Sequence, residues 1–221
     1  MRANLRVAWY NINVNHNHGK TMQLKTIPLY SYDELPENIQ NDLVEEVADK
    51  RGRHFDGYPI IEGFVEDMEK YGLSGVDVNW SGFGSQGDGA CFTADICFLT
   101  CCSILFKYNT DFTKLLHRVR ENVYDVSAKV VRCGQKNHYS HENTCKVVLS
   151  SGNWDDMTEA IQDSLEELEN KLTEWVRSEC RSLHDMIQSY YFEQQDAGVI
   201  AEDLNEFGEI YTETGQIIDL D

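Results

Sequence analysis

The chain has 221 residues, with 38 acidic against 19 basic side chains and a formal net charge of -19. Its 41% apolar and 11% aromatic residues can form a core, which excludes wholesale disorder. The acidity argues against direct nucleic-acid binding and against docking on anionic membranes, because both depend on Lys and Arg. With no run of about 18 apolar residues and no signal-peptide pattern in the polar first twenty residues, the sequence predicts a cytoplasmic protein.

Apolar spacing in the first half of the chain predicts short strands and two helices. A proline in the second strand indicates that this strand lies at a sheet edge or that the proline marks a strand start. The predicted elements are a strand at 5–14 in an N-terminal extension (1–24), a second strand at 26–32, helices at 34–50 and 60–70, and strands at 75–80 and 90–99.

The second half predicts a helix, a hairpin and a long amphipathic helix whose apolar residues recur every three or four positions. These elements are a helix at 111–123, hairpin arms at 126–133 and 144–150, the long helix at about 155–193, a short helix at 197–207 and a turn at Thr214–Gly215. Two antiparallel hairpins packed against helices predict an α+β fold. We divide the chain into the extension 1–24, a body at 25–152 and an acidic helical segment at 153–221.

Almost all of the net charge lies in the last segment. Residues 153–221 hold 19 Asp or Glu and three Lys or Arg. One interpretation is a solvated helix face that aids solubility. The other is an acidic surface for a basic partner, such as a protein that normally binds DNA. Its candidate contact residues are Asp163, Glu166, Glu167 and Glu174.

The loop SGFGSQGDG (81–89) joins two predicted strands and combines four glycines with polar side chains. It predicts either a ligand-binding loop or a tight turn whose Gln86 and Asp88 bond to the backbone. If the two hairpins are neighbours, Asp88 and His141 would face one pocket and allow general acid–base chemistry; otherwise His141 is an exposed turn residue. The candidate ligand residues are Ser85, Gln86, Gly87, Asp88, Tyr139 and His141.

The seven cysteines form no CxxC pair, which favours free, mostly buried thiols over disulfides. Two patterns predict either a weak metal site or an ordinary polar segment: Cys133, His138, His141 and Cys145 at the turn of the second hairpin, and His16 with His18 in the polar tract of the extension. We expect no metal and no cofactor, and we assign no catalytic residue.

The stretch WSGFGSQGDGACF (80–92) resembles the central motif of a family of small bacteriophage and prophage proteins, FSGFWSQGDGASF. LYSYDELPENIQ, NHYSHENT and DAGVIAEDLNEFGEIYTETGQI are similar to that family's other segments, so the resemblance runs from about residue 25 to 217. It implies expression of a phage gene in the host cytoplasm. It implies no reaction, since the family's members are mostly uncharacterised and some are labelled antitoxin.

Two functions follow as expectations. The first is a phage accessory protein that binds and inhibits a host defence or toxin component through a surface resembling DNA in charge. The second is a sponge or hydrolase for a nucleotide-like signal at the SQGDG loop. The long amphipathic helix also suggests a homodimer. No assembled catalytic pattern favours an enzyme.

Overall fold

The computed structural model of the protein describes residues 28–106, 110–121, 125–133 and 140–218. The chain forms two compact units. One contains the residues up to Phe55 together with Tyr191–Asp221, and the other is Asp56–Tyr190. The body and the acidic segment drawn from the sequence meet at residues 152 and 153, which lie inside the second unit.

Ten helices and strands are described, and the predicted α+β class is confirmed. In chain order they are α1 (Glu37–Arg53), α2 (Tyr58–Lys70), β1 (Leu73–Ser81), β2 (Gly89–Ile96), α3 (Phe98–Leu105), α4 (Thr110–Glu121), β3 (Val126–Arg132), β4 (Cys145–Ser151), α5 (Glu159–Glu193) and α6 (Ala197–Glu206). Among the described residues, none of the helices has the length and apolar character needed to cross a bilayer.

The four strands of the second unit make one antiparallel sheet in the order β1-β2-β3-β4. The two predicted hairpins are therefore joined side by side, with Ala94 opposite Val130 and Val130 opposite Val147. One face of the sheet is polar and carries an exposed ion pair of 2.8 Å between Lys129 and Asp95, and the opposite face is buried. The buried face is made of Phe92, Ala94, Ile96, Ala128, Val130, Cys145, Val147 and Leu149.

Helix α5 supplies the largest buried stripe of the second unit. Its fully buried positions recur every three or four residues, as an amphipathic helix requires. They are Leu165, Leu168, Leu172, Val176, Cys180, Leu183 and Ile187, all at 0% exposure. Helix α2 adds Phe64, whose ring meets that of Phe92 edge-on at 5.4 Å.

The first unit has a small core of its own. Tyr32, Leu35, Ile200, Leu204 and Tyr211 are buried there, and the apolar side chains of α1 are only half-buried against them. The turn predicted at Thr214–Gly215 is confirmed, since Gly215 has a φ of 80° and the chain returns so that Ile217 bridges Tyr211.

Two predicted elements need correction. The strand predicted at 26–32 is reduced, in its described part, to one β-bridge between Tyr30 and Tyr211, and Tyr32–Glu34 form a 3₁₀ turn. The strand predicted at 90–99 ends at Ile96, and helix α3 follows from Phe98. Pattern analysis missed α3 because a short and almost wholly apolar run has no period that separates helix from strand. The strand predicted at 5–14 lies outside the described residues.

Candidate functional site

The topology brings the two predicted hairpin loops to one end of the sheet. In an antiparallel meander the β1–β2 and β3–β4 connections lie at the same end of the sheet. The backbones of the two loops come close together: a Cβ on Gly89 would lie 2.8 Å from the carbonyl oxygen of Ser140 and 3.1 Å from the Cα of His141. The two loops are therefore neighbours, which the sequence left open, and Gly89 makes this possible because it has no side chain.

The Asp88 side chain hydrogen-bonds to the backbone of its own loop, between β1 and β2. Its Oδ2 atom accepts hydrogen bonds from the backbone N–H of Gly84 at 2.9 Å and of Ser85 at 2.6 Å. These bonds to the charged form lower the pKa of the Asp88 carboxyl, and His184 adds a smaller effect in the same direction. Asp88 is thus an ionised acceptor for its own loop, the arrangement expected of a structural turn.

His184 of α5 contacts the β1–β2 loop, and no sequence pattern marked it as a site residue. Its Nε2 donates to the carbonyl oxygen of Gly82 at 3.0 Å, and its ring lies 5.5 Å from that of Phe83. Phe83 in turn stacks on Trp80 at 5.4 Å. No local pattern marks His184, because its partner lies 102 positions away in the chain.

His141 begins the short 3₁₀ turn Glu142–Thr144. Its Nδ1 lies 3.2 Å from the backbone nitrogen of Asn143 and 2.9 Å from Oε2 of Glu142. One nitrogen can serve only one of these at a time: with a proton it donates to Glu142, and without one it accepts from Asn143. The other oxygen of Glu142 lies 3.9 Å from Nη1 of Arg181, which continues this polar cluster onto α5.

The predicted ligand residues that the structure describes lie at one end of the sheet, but their described contacts include no acid–base pair. No hydrogen bond joins Asp88 to His141 there, and each side chain is engaged by its own loop. Ser85 and Gln86 are exposed and Gly87 is half-buried with a φ of 99°. Tyr139 lies outside the described residues.

The metal patterns gain no support from the described geometry. Among the described residues, no group of three or more His, Cys, Asp or Glu is arranged to hold a metal ion. The Cys145 thiol points away from the hairpin tip, with its Sγ 3.4 Å from the carbonyl oxygen of Phe92 and 4.0 Å from Sγ of Cys180. The contact with Cys180, together with burial, raises the pKa of Cys145 to about 12, so it stays a thiol. His138, His16 and His18 lie outside the described residues.

The four carboxylates predicted to contact a partner all lie on the outer face of α5. Asp163, Glu166, Glu167 and Glu174 are exposed, as is Glu159 one turn before them. At about 100° per residue these five positions fall within an arc of about 100°, opposite the buried stripe. They extend over about 22 Å of helix.

Helix α5 also binds the edge of the sheet through side chains that the sequence did not reveal. Glu169 accepts from the backbone N–H of Leu149 at 2.7 Å, and Thr173 accepts from that of Val147 at 3.0 Å. Arg177 donates to the carbonyl oxygen of Cys145 at 3.1 Å. These residues recur every four positions and satisfy every second residue of β4, which protects the edge strand from foreign pairing.

The chain matches a known protein family. No curated protein and no solved structure matches the chain significantly. A family described only as a domain of unknown function matches residues 58–196, more than half of the chain. The matched span contains the sheet, both loops at its end and all of α5, and it leaves α1 outside. The chain therefore belongs to the family Domain of unknown function (DUF8835).

Proposed function

We propose that this chain is a binding protein whose acidic α5 face occupies a basic, nucleic-acid-binding surface of a partner protein. The observation that carries the proposal is the row of five exposed carboxylates from Glu159 to Glu174, turned away from the core. The resemblance to small phage and prophage proteins supports a host defence or toxin component as the partner. Inhibition follows because the basic surface is no longer open to nucleic acid.

The charge density of the row is comparable with that of a nucleic-acid strand. Five carboxylates over about 22 Å give one charge per about 4–5 Å. A strand of B-DNA carries one phosphate per about 3.4 Å of helix axis. Within the row the described structure places one cation, Lys171, whose Nζ lies 3.8 Å from Glu167. The charge of Lys171 offsets one of the five carboxylates, so the row keeps an excess of four negative charges.

The sheet supports the row by keeping α5 fixed. Glu169, Thr173 and Arg177 hold the helix against β4 at the C-terminal part of the row and just beyond it. A rigid array loses little conformational entropy when it binds, which favours a precise electrostatic match.

The alternative, a nucleotide-like ligand at the SQGDG loop, has less support. The Asp88 carboxylate, the strongest polar group of that loop, is already satisfied by two backbone N–H groups. A phosphate ligand would also meet its negative charge at close range.

The test compares two variants that each lose four negative charges, one on α5 and the other on α2. The α5 variant changes the proposed contact residues: Asp163→Asn, Glu166→Gln, Glu167→Gln and Glu174→Gln. The control variant changes four exposed carboxylates of α2: Glu62→Gln, Glu66→Gln, Asp67→Asn and Glu69→Gln. Each immobilised protein is exposed to a bacterial lysate free of nucleic acid, and retained proteins are identified by mass spectrometry.

We expect a nucleic-acid-binding protein to be retained by the wild type and by the α2 variant, and to be lost from the α5 variant. It should elute between about 50 and 200 mM salt, because the contact is electrostatic. Added DNA should displace it. Equal retention by both variants, or retention that salt and DNA do not affect, would contradict the proposal.

A further inference from the structure

A groove of about 610 Å³ opens on the first unit, and none of the proposed α5 contact residues lines it. Its floor is the apolar stripe of α1, where Ile39, Leu43 and Val47 are half-buried. These positions lie one turn apart and extend over about 12 Å of helix. Its volume falls in the range of about 300–1,000 Å³ that is typical of ligand sites.

Two strongly exposed apolar side chains stand at the margin of this groove. Phe207 is 72% exposed, more than any other large apolar side chain among the described residues, and Ile217 is 58% exposed. Gly215 allows the chain to turn close over the floor, since a Cβ there would lie 2.9 Å from Cγ2 of Ile39. Because the floor of the groove and the two exposed side chains at its margin are apolar, the groove favours an apolar partner surface.

The charged side chains around the groove favour a positively charged partner. Asp42, Glu46 and Glu209 line the groove, and Lys50 is the lining cation for which the described residues show no ion pair. The other lining cation, Arg51, is 2.7 Å from Asp203 and neutralised by it.

Glu209 is fixed in place because it accepts a hydrogen bond of 2.8 Å from the buried hydroxyl of Tyr211. The carboxylates of Glu209, Asp42 and Glu46 give the margin of the groove an excess of negative charge.

We infer that this groove binds a basic amphipathic helix of a partner protein. The apolar residues of such a helix, at i, i+3, i+4 and i+7, would lie on the floor formed by α1 and against Phe207 and Ile217. Its Lys and Arg residues would face Asp42, Glu46 and Glu209. The site lies on the first unit and is independent of the α5 carboxylates, so either proposal stands if the other fails.

The probes are three designed peptides of about 14 residues, roughly four helical turns. One has leucines at helical spacing and lysines elsewhere, the second replaces each lysine by glutamate, and the third scrambles the first. Binding of each labelled peptide to the full chain is measured by fluorescence anisotropy. We expect the Leu/Lys peptide to bind at least tenfold more tightly than the other two.

Variants locate the binding. Phe207→Ala with Ile217→Ala should weaken the Leu/Lys peptide at least tenfold, and both side chains are exposed enough that the fold is retained. The matched control is Phe192→Ala, a side chain 59% exposed that does not line the groove, which should change affinity less than twofold. Circular dichroism confirms folding of each variant.

Charge variants separate the groove from the acidic face of α5. Asp42→Asn with Glu46→Gln should weaken binding severalfold, whereas Glu37→Gln with Glu45→Gln, on the same helix but outside the groove, should not. The four-residue α5 variant should bind the Leu/Lys peptide like the wild type.

Four results would overturn the inference. The groove variants could bind the peptide like the wild type, or the Leu/Glu peptide could bind equally well. Self-association lost on Phe207→Ala with Ile217→Ala would identify a second copy of the chain as the occupant. Displacement of the probe by a synthetic peptide of residues 1–20, which has three basic residues and no acidic ones, would assign the groove to the chain itself.

Discussion

The Oε2 atom of Glu169 accepts a hydrogen bond of 2.7 Å from the backbone N–H of Leu149 in the edge strand β4. Replacing Glu169 with Ala leaves this partly buried N–H without its partner. We expect the free energy of unfolding to fall by about 1–3 kcal/mol. Urea denaturation measures it, with Glu166→Ala as the control. Glu166 is exposed, so its loss should change stability by no more than about 0.5 kcal/mol. Equal effects of the two changes would show that the helix-to-edge contact contributes nothing.

Gly89 and Gly84 lie in the same loop but in different surroundings. A Cβ on Gly89 would lie 2.8 Å from the Ser140 carbonyl oxygen, whereas a Cβ on Gly84 would have no neighbour within 4 Å. We expect Gly89→Ala to lower the free energy of unfolding by about 1–3 kcal/mol, because the backbones must move apart. Gly84→Ala should stay within about 0.5 kcal/mol. Thermal denaturation of both variants checks this, and a tolerant Gly89→Ala would mean that the loops are not in contact.

Asp88 makes the stability of its loop depend on pH. Its pKa is lowered by the amides of Ser85 and Gly84, so the stabilisation is present above its ordinary value, near pH 4, and is lost as the pH falls through the lowered pKa. We expect Asp88→Asn to be less stable than the wild type at neutral pH, with the difference shrinking below about pH 4. A difference that stays constant across this range would contradict the assignment. NMR titration of the carboxyl measures the pKa directly.

Cys97 should be the most reactive of the described thiols. It is exposed, and the hydroxyl and backbone N–H of Thr100 lower its pKa, with Sγ 3.1 Å from Oγ1. Burial instead raises the pKa of Cys101, to about 12, and of Cys102. We expect brief alkylation with iodoacetamide near neutral pH to modify Cys97 first.

Two variants test that expectation by peptide mass spectrometry. Cys97→Ser should remove the fast phase of alkylation, and Thr100→Val should slow it. In denaturant all seven cysteines should react. Faster labelling of Cys101 or Cys102 in the native protein would contradict it.

Much of the fold was predictable because it depends on local periodicity. The stripe from Ile161 to Ile187 marks α5, and the strand patterns mark two hairpins. The pairing of β2 with β3, which places the two hairpin loops at one end of the sheet, was left open by the sequence. Helix α3 was not predictable, since Phe98–Leu105 is almost entirely apolar and its burial depends on the surrounding chain. The contacts of Glu169, Thr173 and Arg177 were also hidden, because their partners lie 20 to 32 positions away.

The net charge of -19 and its concentration after residue 153 are properties of the sequence alone. Which carboxylates can meet a partner was decided by the tertiary structure. Packing of the apolar stripe against the sheet turns Asp163, Glu166, Glu167 and Glu174 outward, while Glu169 is used to bind the strand edge. The physical reason is that a helix has one buried face, and the exposure of every other side chain follows from its angle to that face.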